Sequence, residues 1–307
     1  MSEGAFEYPF QNSKSLLGFF TEAEAFNILK SQGIPFTPKQ EEELNTKVRE
    51  ALKHASTIAG RRAVVPDVKE IPVQYMADRE QRLRNEPTFA EHLIGMSGVS
   101  LSQVEIGNLH VFQPNLNMDY VKRLVAKAPE PDNLADLLRF CLPLREEVEK
   151  FPVVGGFNPN TNTVTLMSEN LDMRMLGQVQ GEDPKTGHRF FGFAYGGGLS
   201  QISVVDYKGV FMIKNGYHRA FALLEKGHKF MPCLLLKTDD YQATGAAGTG
   251  FFSLELMLSD RSPILSDFQS PAAVAYPRRL IRVVASIRGE VHWVPASSFP
   301  ISHSPSS

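Results

Sequence analysis

Apolar positions recur at three- and four-residue steps through the first hundred residues and change period afterwards. Leu44, Val48, Ala51, Leu52, Ala55 and Ile58 form one stripe, opposite a charged face of Glu41, Glu42, Glu43, Lys47, Arg49, Glu50 and Lys53. That spacing is one side of an amphipathic helix. Its start is marked by Thr37, Pro38 and Gln40: a hydroxyl N-cap, a proline at the first helical position and a side chain that closes a capping box. Gly60 marks its predicted end. Thr21 and Glu24 repeat the box ahead of a helix that carries Phe26 and Leu29 and stops at Gly33. Val64-Val65-Pro66 and Ile71-Pro72-Val73 read as extended connectors, because each proline disfavours helix in the residue before it.

Beyond residue 100 the pattern predicts a strand through Val104, Ile106, Leu109 and Val111-Phe112. Asp119 then caps a helix with Val121, Leu124 and Val125, and Asp132 caps another with Leu134, Leu137 and Leu138. From Thr163 onward strands dominate: Thr163 to Leu166, Phe190 to Tyr195, Ile202 to Val205 and Val210 to Ile213. Asp206-Tyr207-Lys208-Gly209 is a hairpin turn between the last two. The glycine-rich stretch 242–250 reads as a flexible linker or lid, and Leu280 to Ile287 with Val291 to Val294 as a terminal hairpin. The expected fold is a mixed α+β chain in three parts. Residues 1–100 form a helical N-terminal region. Residues 101–240 form an α/β domain with a β-rich insertion. Residues 241–307 hold the linker, a C-terminal β-hairpin and a polar tail.

Composition narrows the class. The 307 residues are 42% hydrophobic and 21% charged, with 32 Lys+Arg against 34 Asp+Glu and a net charge of −2. A balanced charge lacks the whole-molecule basic footprint of a nucleic-acid binder, so nucleic acid is a possible but not a favoured partner. Cys141 and Cys233 sit in apolar surroundings and read as buried free thiols. No apolar run reaches the ~18 residues of a membrane span, and the acidic N-terminus has no signal-peptide pattern. A cytoplasmic protein without a membrane partner is expected; the oligomeric state is open.

The chemistry concentrates in Val210–Gly227, read as strand, Asn215-Gly216 turn, helix and glycine stop. A helix start offers free N–H groups and the positive end of its dipole to whatever lies beyond the turn. Gly216 lets a backbone approach closely, and His218 and Arg219 add two donors in the first turn. A cation at a helix N-terminus opposes the dipole. Losing Arg219 is therefore expected to leave the ligand-free fold unchanged or slightly more stable, and the conflict itself points to an anion. No His-Glu-x-x-His or comparable metal spacing occurs, so no protein metal site is expected.

Gly216, His218, Arg219 and Ala222 resemble the box between strand and helix in the ParB/sulfiredoxin-like superfamily, whose members carry Gly-x-x-Arg or Asp-Gly-x-His-Arg there. Leu109-His110-Val111-Phe112-Gln113-Pro114, followed by Asp119 and Leu124, resembles the entry segment of ParB N-terminal domains. The two matches span about 105–127 and 200–236. Asn115 stands in place of an arginine of that segment, Asn215 in place of the aspartate, and Tyr217 at the position of sulfiredoxin's cysteine. The resemblance implies a nucleotide- or phosphate-binding protein, an NTP-dependent switch or NTPase, with a nucleoside triphosphate and Mg²⁺ as the cofactor class. Asn215, Gly216, Tyr217, His218, Arg219, Gln113 and Asn115 are the implied binding residues; the catalytic residues stay unknown. A metal-dependent nuclease or phosphodiesterase and a non-catalytic interaction protein on the same scaffold are the alternatives.

Overall fold

Sequence marks and observed elements coincide at both helix starts near the N-terminus. In the computed structural model, residues 10–61, 64–86, 89–147, 154–168, 173–197 and 200–289 are described. The first part comprises β1 (Phe10–Ser15), α1 (Glu22–Gln32), α2 (Pro38–Ser56), β2 (Val68–Glu70), α3 (Ala77–Arg84) and α4 (Phe89–His92). It continues with β3 (Gly98–Glu105), β4 (Asn115–Asn117), α5 (Met118–Lys127) and α6 (Leu134–Cys141). Then come β5 (Val154–Asn158), β6 (Thr163–Ser168), β7 (Met173–Glu182), β8 (Arg189–Gly197), β9 (Ser203–Tyr207) and β10 (Val210–Asn215). The chain closes with α7 (Tyr217–Glu225), β11 (Phe230–Thr238), α8 (Leu254–Met257), β12 (Val274–Arg279) and β13 (Val283–Arg288). Both reciprocal capping boxes, at Thr21/Glu24 and Thr37/Gln40, are formed. The architecture is mixed α+β.

Two compact units divide the chain: Met1–Glu149 with Leu199–Leu280, and Lys150–Gly198 with Ile281–Ser307. This division differs from the expected boundaries at 100 and 240. The reason lies in strand pairing, since β2 and β3 from the expected helical region join the sheet of β9, β10 and β11.

In the first unit that sheet runs β10-β9-β11-β3-β2. β9 and β10 are a hairpin whose turn residues Lys208 and Gly209 both take positive φ, 54° and 86°, the geometry that matches strand twist. The Asp206 carboxylate accepts the Gly209 N–H at 2.8 Å and closes the turn. β11 lies parallel to β9 and antiparallel to β3, and α7 makes the connection from β10 to β11. Val204, Val205, Met212, Ile213, Ala220, Phe221, Leu223, Leu234 and Leu236 are fully buried here or nearly so.

A second sheet, β12-β1-β4, carries α1 and α2, with Leu17, Ala25, Leu29, Leu44, Val48 and Ala51 packed against Val274 and Tyr276. β1 was not expected as a strand. Phe-Gln-Asn-Ser-Lys-Ser has no apolar alternation, and it is extended because it pairs with β12 on one side and β4 on the other.

The segment after β3 sets the position of the site. His110 forms a parallel bridge with Met212, exchanging bonds through Phe211 O at 2.8 Å and Ile213 N at 3.0 Å. Residues 111–117 are thereby laid beside the end of β10. Local marks needed correction in four places. Asn117 rather than Asp119 caps α5, accepting the N–H groups of Asp119 and Tyr120, and Asn133 rather than Asp132 caps α6. α2 ends at Ser56, short of Gly60. The 242–250 stretch is packed: Thr244 and Ala246 are buried, and Lys214 donates to the Ala243 carbonyl at 2.7 Å.

The second unit, described by itself, holds the sheet β13-β6-β5 and the ribbon β7-β8. β13 pairs antiparallel with β6; the expected partner strand 291–294 lies outside the described residues, as does the polar tail.

Candidate functional site

β10 delivers the chain to Asn215, and Gly216 turns it into α7 with φ +93°. That left-handed conformation favours glycine. A Cβ here would also stand 2.7 Å from Ile202 Cγ1 and 3.2 Å from Ile202 Cα. Gly216 is thus required by its own backbone and by Ile202, a reason that precedes any ligand. The N–H groups of Tyr217, His218 and Arg219 open α7 without intrahelical partners, and Gly216 offers no side-chain cap.

Tyr217 is a tie between segments. Its buried hydroxyl accepts the Phe112 N–H at 3.1 Å, and the two rings meet edge to face with centroids 5.5 Å apart. Burial raises its phenol well above the ordinary range.

His218 faces its own chain as an acceptor. Nε2 takes the Asn117 N–H at 3.0 Å, which assigns the hydrogen to Nδ1. Burial pushes its pKa down to about 4, so it is neutral at pH 7. The ring lies tilted against Tyr120 at 5.3 Å. As an acceptor through Nε2, His218 brings no charge to the start of α7, and only its Nδ1–H remains as the expected donor.

Arg219 departs furthest from expectation. Its guanidinium donates to the carbonyls of Phe140 at 2.9 Å and Cys141 at 3.3 Å, to the Ser200 hydroxyl at 3.1 Å, and to the Ser200 carbonyl. Phe140 and Cys141 are the last residues of α6. The cation that opposes the dipole at the start of α7 therefore sits at the favourable negative end of α6 and satisfies carbonyls that helix leaves unpaired. Burial lowers its pKa, yet an arginine stays charged. Among the described residues no carboxylate lies within ion-pair distance of it.

The Ser200 hydroxyl accepts from Arg219 and donates to Asn215 Oδ1 at 3.4 Å. Asn115 is engaged elsewhere: its Oδ1 accepts from the Ser15 hydroxyl where β4 pairs with β1.

Gln113, Tyr120, Ser200, Asn215, Gly216, Tyr217, His218 and Arg219 line one small cleft of about 120 Å³. At ~10–15 Å³ per water this holds several waters, the space of one hydrated anion. Six of the seven sequence candidates meet there, and Asn115 does not. Tyr120 and Ser200 are additions that the sequence did not single out. Tyr120 sits one residue past the expected cap, and Ser200 lies in the connection between β8 and β9. No described lining residue is a carboxylate, and among the described residues no group of three or more His, Cys, Asp or Glu is placed to hold a metal ion. No helix of the described chain is long and apolar enough to cross a membrane.

No family model, curated protein or solved structure matches the chain.

Proposed function

We propose that this cleft binds the phosphoryl end of a nucleotide or another phosphate-bearing small molecule, and that the protein is a ParB-like nucleotide-binding switch or NTPase. One observation carries the reading: a half-buried guanidinium lies at a helix start, the guanidinium without a carboxylate partner and the helix's first N–H groups without acceptors among the described residues, in a cleft whose described lining has no negative charge. The negative end of a helix amounts to about half a charge. α6 thus offsets only part of the Arg219 cation, and α7 adds its own positive end.

The roles follow from the donors left over. N–H groups at the start of α7, the amides of Gln113 and Asn215 and the Nδ1–H of His218 are the groups available to an anion's oxygens. Arg219 contributes its field, because its N–H groups are committed to carbonyls. The donor set does not suit a divalent cation held by the protein, which wants carboxylate or carbonyl oxygens. Mg²⁺ would arrive on the phosphates. A described lining of donors without a carboxylate favours binding over metal-dependent phosphodiester cleavage. The strand, left-handed glycine and helix, with the Gln113 segment beside them, support the ParB-like reading.

A second reading, a non-catalytic scaffold, is favoured by the same Arg219 bonds, since the chain satisfies the guanidinium by itself. Thermal shifts with the four ribonucleoside triphosphates, pyrophosphate and phosphate, each with and without Mg²⁺, separate the two. A ligand present at ~100 times Kd adds about 2.7 kcal/mol of stability. Gln113→Glu, which places a carboxylate in the cleft, should abolish that gain. No shift with any of these anions selects the scaffold.

A further inference from the structure

Among the described residues the β7-β8 ribbon has no strand on either edge, and a lone two-stranded ribbon is marginal in water. Phe190 is 55% and Phe191 61% exposed, and Met175, Leu176 and Val179 are exposed as well. The two edges differ. β7 carries an extra residue, Leu176, in a bulge between Met175 and Gly177, a device that blunts an edge. β8, Arg189 to Gly197, has no bulge, no proline and no lysine, the usual protections of an edge strand.

We infer that β8 pairs antiparallel with β8 of a second copy about a two-fold axis at Phe193, giving a four-stranded sheet β7-β8-β8-β7. The strand is complementary to itself in that register. Phe193 meets its own counterpart, Phe191 stands opposite the partner's Tyr195 on both sides of the axis, and Arg189 faces the partner's Gly197. Side chains alternate along a strand, so Phe191, Phe193 and Tyr195 share a face, and Phe191 and Phe193 already meet edge to face at 5.5 Å. Pairing joins two such rows into one of six rings, the kind of cross-strand contact that stabilises sheets. No like charges are opposed, and residues 173–197 carry Arg174, Lys185 and Arg189 against Glu182 and Asp183, a net +1 that repels a second copy little. The inference is independent of the anion cleft.

Sedimentation equilibrium of the full chain from low to high micromolar concentration should show a monomer–dimer equilibrium, with Phe193→Arg weakening it at least tenfold. Should that variant fail to fold, cross-linking still decides. Opposed residues of an antiparallel pair lie about 4.5–5.5 Å apart between Cα atoms, within disulfide range. Under oxidation Phe193→Cys should give a disulfide-linked dimer while Val179→Cys on β7 stays monomeric; the native Cys141 and Cys233 are buried and take no part. A chain that is monomeric throughout with no Phe193→Cys cross-link overturns the inference. So does a cross-link at Val179→Cys but not at Phe193→Cys, an open-ended series of oligomers, or a dimer unchanged by Phe193→Arg.

Discussion

Arg219 at the start of α7 donates to the carbonyl of Phe140 at the end of α6, 2.9 Å away. One helix's unfavourable cation is another helix's cap. The expectation that Arg219 is dispensable to the ligand-free fold is therefore reversed. Arg219→Ala leaves the carbonyls of Phe140 and Ser200 without their donor and that of Cys141 with the Ile202 N–H alone, and should cost about 2–4 kcal/mol. Urea denaturation checks this, and an unchanged midpoint contradicts it.

Two histidines set the acid side of the stability profile. His110 is buried, with Nδ1 2.8 Å from the Ser262 hydroxyl, and desolvation together with the Arg61 charge pushes its pKa down to about 4. Burial does the same for His218. Both folded values lie below the unfolded value of 6.5, so the unfolded chain binds more protons between pH 6.5 and pH 4. Stability from these groups is complete above pH 6.5 and falls with acidification, by roughly 2 kcal/mol for His110 alone at pH 5. Ring-proton NMR should find neither histidine titrating above pH 5. A midpoint near 6.5 for either would refute the assignment.

Gly216→Ala tests the turn. A side chain at φ +93° is strained, at about 1–2 kcal/mol, and its Cβ has Ile202 2.7 Å away. The variant should lose stability even without a ligand, and combined with Ile202→Ala, which removes Cγ1, it should cost less than the sum of the two single variants. Equal stability to wild type would show that Gly216 matters to a ligand alone.

Tyr217→Phe removes the acceptor of the buried Phe112 N–H. The orphaned donor should cost about 1–3 kcal/mol. Amide exchange at Phe112 should speed up relative to its neighbours; unchanged exchange would mean the bond is not a restraint.

Much of this was legible where the signal is local. Thr21/Glu24, Thr37/Gln40 and Lys208-Gly209 carry their geometry in a few adjacent residues, and both capping boxes and the hairpin are formed. The turn from Asn215 into α7 was legible for the same reason. What failed depends on distant partners. β1 is a strand through β12 and β4. Thr244 and Ala246 are buried although glycine content suggested a linker. Asn115 is spent on Ser15. The dipole conflict at Arg219 is legible in the sequence, but its resolution lies in carbonyls 78 and 79 residues earlier in the chain, which no local pattern reveals.

The amide signals of Tyr217, His218 and Arg219, followed by NMR during titration with pyrophosphate at pH 7, test the central claim most directly. The account predicts saturable downfield shifts confined to these amides and to the side-chain amides of Gln113 and Asn215, abolished by Gln113→Glu. Shifts absent at these residues, or scattered over surface lysines with no saturation, would contradict it.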